Sequence, residues 1–179
     1  MTKKIKFTYT KPGADRIHYI NEEDVLIVLN RLPKHLWSGL RAVHFNDKSQ
    51  GGRILGYTGE SRRRSYEISI CAQPPRFSIS ALLLRKKSPS IFGAKRGKQW
   101  PTIAIRRFLL YNTLLHEIGH NQIIDSKANS LRRKYAGETK SDEFATYWRR
   151  LLWSKHFDHS DPVHNPPTKE ELASLDIED

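Results

Sequence analysis

Between residues 103 and 118 apolar side chains fall on nearly every side of a helical wheel: Ile103, Ile105, Phe108, Leu109, Leu110, Tyr111, Leu114, Leu115 and Ile118. A helix that is apolar all round is buried, so the rest of this chain must fold around that segment. Trp100-Pro101-Thr102 opens it, and the pattern predicts one long helix over about residues 102 to 124. Into the same segment the chain inserts His116, Glu117 and His120. Two imidazoles and a carboxylate are costly to bury unless something inside the protein satisfies them.

The surrounding pattern is mixed. Asn21 reads as an N-cap, with Glu22, Glu23 and Asp24 in the first turn of a helix that Pro33 stops; a short turn then covers Pro33 to Trp37. Three strand candidates follow at 40–45, 53–58 and 65–71, the last alternating Tyr66, Ile68, Ile70 with Glu67, Ser69, Cys71. They suggest a small, mostly antiparallel sheet with one buried face. Residues 77–84 (FSISALLL) fit strand or helix equally. After the apolar helix, Asp125 or Ser126 would cap a short polar helix ending near Gly137, and Ser141 would cap another carrying Phe144, Tyr147, Trp148, Leu151 and Leu152. Thr168 with Glu171 makes a capping-box signature for one last short helix. The expected class is α+β.

At 179 residues the chain has room for one core. Its single cysteine, Cys71, excludes an internal disulfide and a Cys-rich zinc module. No apolar run approaches the about 20 residues that span a bilayer, and MTKKIKFTYTK lacks the apolar stretch of a signal peptide. The expectation is a cytoplasmic protein with no membrane partner. The net charge is +12, from 31 Lys and Arg against 19 Asp and Glu. Residues 161–179 hold six acidic side chains and one Lys, so this Pro-rich tail carries −5 and residues 1–160 carry +17. The division expected is a domain over 1–160 and an acidic tail over 161–179.

His116-Glu117-Ile118-Gly119-His120 has the spacing of a metal site. Residues four apart share a helix face, so both imidazoles can meet one ion. Glu117, about 100° round the helix, can reach a water on that ion without being a ligand. The ion makes the water acidic and the carboxylate takes its proton, as hydrolysis of a carbonyl compound requires. The implied cofactor is Zn2+, which needs three protein ligands and an open position for catalysis.

HEIGH on the apolar helix FLLYNTLLHEIGH, preceded by a strand like SYEISIC, resembles the zincin metallopeptidases, and among them small intracellular proteases of the ImmA/IrrE type. The resemblance spans residues 40–152 loosely and 111–120 tightly. It implies a zincin-like fold in which an edge strand pairs with an extended substrate peptide above the HExxH helix. It implies His116 and His120 as ligands, Glu117 as general base, and a protein or peptide as substrate.

For the third ligand, Ile123 and Ser126 stand where metzincins need Gly and His. Gluzincins draw a Glu from the next long helix, and SDEFATYW offers Glu143, which borders the apolar stripe there, with Asp142 as the alternative. Cys71, on the strand nearest the site, would resemble the ligand set of peptide deformylases. A tail imidazole, His156, His159 or His164, would resemble SprT-like proteases. Gly119 permits close approach of another segment, such as the helix bearing the third ligand, and Tyr147 is a candidate oxyanion donor.

Five basic clusters complete the reading: Arg62-Arg63-Arg64, the 85–98 segment, Arg106-Arg107, Arg132-Arg133-Lys134 and Arg149-Arg150. With Trp100 beside one of them as a stacking surface, they raise nucleic acid as a possible partner. The corresponding alternatives are a DNA-associated protease and a non-catalytic zinc- or nucleic-acid-binding module. The acidic tail could also fold onto the basic body and compete for it.

Overall fold

A computed structural model describes residues 4–50, 53–61, 65–122, 131–155 and 157–175. The chain opens with β1 (Lys6–Tyr9) and α1 (Glu22–Arg31). Asn21 caps α1 in a full capping box: its side chain accepts from Asp24 N–H, and the Asp24 side chain accepts from Asn21 N–H. A 3-10 turn, Lys34–Leu36, leads into β2 (Leu40–Asn46), followed by β3 (Gly56–Ser61) and β4 (Ser65–Cys71).

The four strands form one sheet in the order β1-β2-β4-β3. β1 pairs with β2 and β2 with β4 in parallel; only β3 and β4 run antiparallel. The expected antiparallel sheet is therefore corrected to a mixed one. Alternation in Ser65–Cys71 suggested one buried face, but the last four residues of β4 are all buried. A central strand covered on both faces is what parallel pairing favours. β3 leaves the meander and forms the outer edge.

α2 (Ala81–Leu84) resolves the ambiguous FSISALLL segment as a single helical turn, capped by the Ser80 side chain. Arg85 and Lys86 then take left-handed backbone angles, φ 48° and 67°. Such angles are strained for residues with a Cβ and persist where surrounding contacts hold them.

The apolar helix is a rod in three parts: α3 (Thr102–Phe108), a π-helical segment (Leu109–Leu114) and α4 (Leu115–His120). All six π-segment residues are buried, with β4 and α1 both packed against them. Gly56 of β3 makes this approach possible: a Cβ there would stand 2.9 Å from Ser69 O and 2.9 Å from Thr113 Cγ2.

The rod is not the longest helix. α5 (Leu131–Ser154) has 24 residues and replaces the two short helices expected there, running through both Gly137 and Ser141. Asp125 and Ser126 lie outside the described residues. The buried stripe of α5 is Ser141, Ala145, Arg149 and Leu152, a step round the helix from the one centred on Phe144, Trp148 and Leu151.

Residues 157–175 fold back on the rod and end in α6 (Lys169–Ser174), whose Thr168–Glu171 capping box is formed. Arg107, 0% exposed, holds this segment. Its guanidinium donates to both Glu171 carboxylate oxygens at 2.8 and 3.1 Å and to the carbonyls of Pro162 and Asn165 at 3.0 Å each. Arg106 spans Asp24 and Asp161 at 2.9 and 2.8 Å. Among the described residues no helix is long and apolar enough to cross a membrane.

Candidate metal centre

α4 presents His116 and His120 on one face, their Nε2 atoms 3.1 Å apart. Facing them from α5 is Glu138, with Oε2 3.3 Å from His116 Nε2 and Oε1 3.2 Å from His120 Nε2. Two atoms each bound at about 2.05 Å to a tetrahedral ion stand about 3.3 Å apart. Each spacing is close to an edge of a zinc coordination shell, with the two imidazoles facing different oxygens of Glu138, and two imidazoles with one carboxylate suit the ion chemically. His116 is buried, while His120 and Glu138 are partly open to a cleft of about 640 Å³.

Glu117 lines the same cleft but stays outside the ligand set. Its Oε2 lies 2.8 Å from Thr58 Oγ1 on β3, and the same hydroxyl stands 3.1 Å from the Glu117 carbonyl. The edge strand therefore fixes the carboxylate. Burial pushes the Glu117 carboxyl above its ordinary pKa. Glu138 moves the opposite way, well below the usual carboxylate range, because His116, His120 and Arg85 all hydrogen-bond to it. His120 is raised by the same Glu138 contact.

The strained turn after α2 secures the carboxylate of this trio. Arg85 pairs with Glu138 through Nη2, and its Nη1 donates to the Glu138 carbonyl at 3.2 Å. Lys87, 8% exposed, pairs with Asp142 one turn along α5. On the other side, Gly119 lets α5 lie close to α4: a Cβ there would stand 3.1–3.2 Å from Phe144. The close approach anticipated at Gly119 is thus to the helix that carries Glu138.

The expectation of Glu143 as third ligand is corrected. Glu143 is exposed and borders a separate shallow hollow on the outer face of α5, together with Tyr147, which is 61% exposed. Asp142 is engaged by Lys87. Cys71 is buried at the end of β4, its thiol pushed up to about 11 by burial, and is not among the converging atoms. His159 stacks on Phe157 and accepts from Asp161 N–H at 3.0 Å. His164, 0% exposed, bonds through Nδ1 to Tyr111 Oη at 3.0 Å. His156 lies outside the described residues.

Asn112, one turn before His116, has no sequence signal that sets it apart from its apolar neighbours. It lines the cleft and is 5% exposed, yet its Oδ1 has no hydrogen-bond partner among the described residues. A second trio, Asp24, Asp161 and His164, has ligand-like spacing. There Arg106 already stands between the two carboxylates and supplies the positive charge.

The basic clusters divide. Arg62-Arg63-Arg64 and the Arg132-Arg133-Lys134 side chains lie outside the described residues. Arg106 and Arg107 point inward to the C-terminal segment, and Arg149, 2% exposed, sits over the Phe92 ring at 5.2 Å. Trp100 is 3% exposed and packs against Phe92 and Phe108, so it offers no surface for a base. The described part of the acidic tail packs onto basic residues, with Asp161 pairing with Arg106 and Glu171 with Arg107; residues 176–179 lie outside the described residues. Compared with protein-family models, curated proteins and solved structures, the chain has no match.

Proposed function

We propose that the protein is a zinc-dependent peptidase of zincin type, with His116, His120 and Glu138 as ligands and Glu117 as general base. The observation that carries this reading is the convergence of two imidazole nitrogens and the two oxygens of one carboxylate, at 3.1–3.3 Å, in a cleft that Glu117 also lines. An ion held by two imidazoles and a carboxylate keeps a position open to solvent, as catalytic zinc sites do.

Bound zinc would supply an acidified water and a polarised carbonyl. The chain's residues do the rest. Thr58 aims the Glu117 carboxylate, which takes a proton from the attacking water and returns it to the leaving amine. Burial raises the pKa of that carboxylate, bringing it nearer the working pH, where a general base is most effective. β3 is an edge strand directly above the rod, so its free side can receive an extended peptide by strand addition.

The test is zinc content and cleavage of an unstructured protein by the wild type and Glu117→Gln. The expected result is about one zinc in both and a loss of about 10²–10⁴-fold in turnover in the variant. Equal turnover in both proteins, or no zinc taken up by either, would overturn the proposal.

A further inference from the structure

The cleft holds more positive charge than its chemistry uses. Arg53, Arg85 and Lys140 line it, against two carboxylates, Glu117 and Glu138. Both carboxylates are committed, one to Thr58 and the other to His116, His120 and Arg85. Arg85 is committed in turn. Arg53 and Lys140 are different: both are exposed, and neither has a hydrogen bond or ion pair among the described residues. They stand on different walls, Arg53 just ahead of β3 and Lys140 on α5. The lining also includes the apolar Leu55, Leu83 and Phe108. Unpaired cations above an apolar wall focus their field into a cleft, because the wall screens poorly.

We propose that this cleft selects peptides with carboxylate side chains flanking the bond to be cut, and that Arg53 and Lys140 are the groups that read them. The proposal rests on the peptidase reading and names its substrate class. A Glu or Asp side chain entering beside Glu138 meets two cations without partners among the described residues, Arg53 and Lys140, and of the carboxylates lining the cleft only Glu117 keeps a charge that no cation offsets. A Lys or Arg side chain meets the reverse. A net charge of +12 adds long-range attraction for the same substrates.

The experiment compares two labelled peptides identical except for Glu or Lys at two central positions. Their binding to zinc-loaded Glu117→Gln protein is read by fluorescence polarisation, and their cleavage by the wild type in parallel. The Glu peptide should bind at least about tenfold more tightly at low salt, with the advantage shrinking as salt rises. Arg53→Glu/Lys140→Glu should remove or invert the preference, and the milder Arg53→Gln and Lys140→Gln should each reduce it. Equal affinities, or a preference that survives these substitutions, would overturn the proposal. So would an oligonucleotide of equal charge that binds more tightly than the Glu peptide and loses that affinity in the double variant. Selective binding with no cleavage of either peptide defeats the peptidase reading alone; equal cleavage with equal binding defeats the charge preference alone.

Discussion

Replacing Glu138 by Ala, beside Glu143→Ala as its control, separates the two carboxylates that α5 could offer a metal. Glu138 supplies the oxygens that stand 3.2 and 3.3 Å from the two imidazole nitrogens. Glu143 lies five residues further on, exposed and away from the cleft. A four-ligand structural zinc site binds with about 10–16 kcal/mol, so one protein ligand is worth about 3–4 kcal/mol. At about 1.4 kcal/mol per factor of ten, the loss is about 10²–10³-fold in affinity. Removing Glu138 also frees Arg85, but the Arg85 side chain is 35% exposed and can turn to water. Competition against a chromophoric zinc chelator near neutral pH measures the constant directly. Glu138→Ala should weaken zinc by that factor, while Glu143→Ala and Cys71→Ser stay within about twofold of the wild type. The reverse order, or no change at Glu138, would refute the assignment.

Three further outcomes follow from the packing and charge around the rod. Gly119→Ala places a methyl 3.1–3.2 Å from Phe144. Overpacking of about 1–3 kcal/mol outweighs the helix-propensity gain of about 1 kcal/mol, so Tm should drop by a few degrees and zinc should bind more weakly as α5 is displaced; an unchanged zinc affinity would refute the coupling. Asn112→Leu removes a buried amide oxygen without a partner. That should stabilise by about 1–3 kcal/mol, or about 2–12 °C in Tm, and a lower Tm in a thermal melt would show that the amide is satisfied. Asp24 is buried, which opposes its ionisation, yet His164, the Asn21 N–H and Arg106 hold its pKa below the ordinary value. Its contribution is therefore present above the unfolded pKa of about 3.9 and lost as pH falls toward the folded value. Tm should fall more steeply between about pH 5 and pH 3 in the wild type than in Asp24→Asn, and parallel curves would count against the network.

Local signals in the sequence were read well where the residue itself performs the local task. Asn21 and Thr168 cap helices because their side chains bond the N–H groups two or three residues on, and Ser65–Cys71 declares a strand through its own alternation. His116 and His120 were legible because their spacing of four is a property of one helix. Glu138 was not, because Gly137 and Ser141 look like a break in the chain and it falls between them. Packing overrode that signal: the small Gly119 on α4 draws Phe144 close, and the long α5 is stabilised by contact rather than by propensity. Strand direction was equally hidden, since alternation marks a strand but not its neighbour. Arg106 and Arg107 looked like surface charge because their partners, Asp161 and Glu171, lie more than fifty residues away.

The π-helical turn at Leu109–Leu114 acts as a phase adjuster along the rod. Ahead of it, Arg106 and Arg107 must point toward the C-terminal segment; beyond it, His116 and His120 must point toward α5. A π turn accommodates one more residue than the α turn it replaces, so it offsets the two halves by about one residue step, close to 100°. Deleting a single residue within it would restore an unbroken α-helix and swing one set of side chains out of alignment with the other. The chain would then hold either its tail or its facing imidazole pair in place, but not both, and insertions or deletions in this stretch are constrained far more tightly than its plain apolar composition suggests.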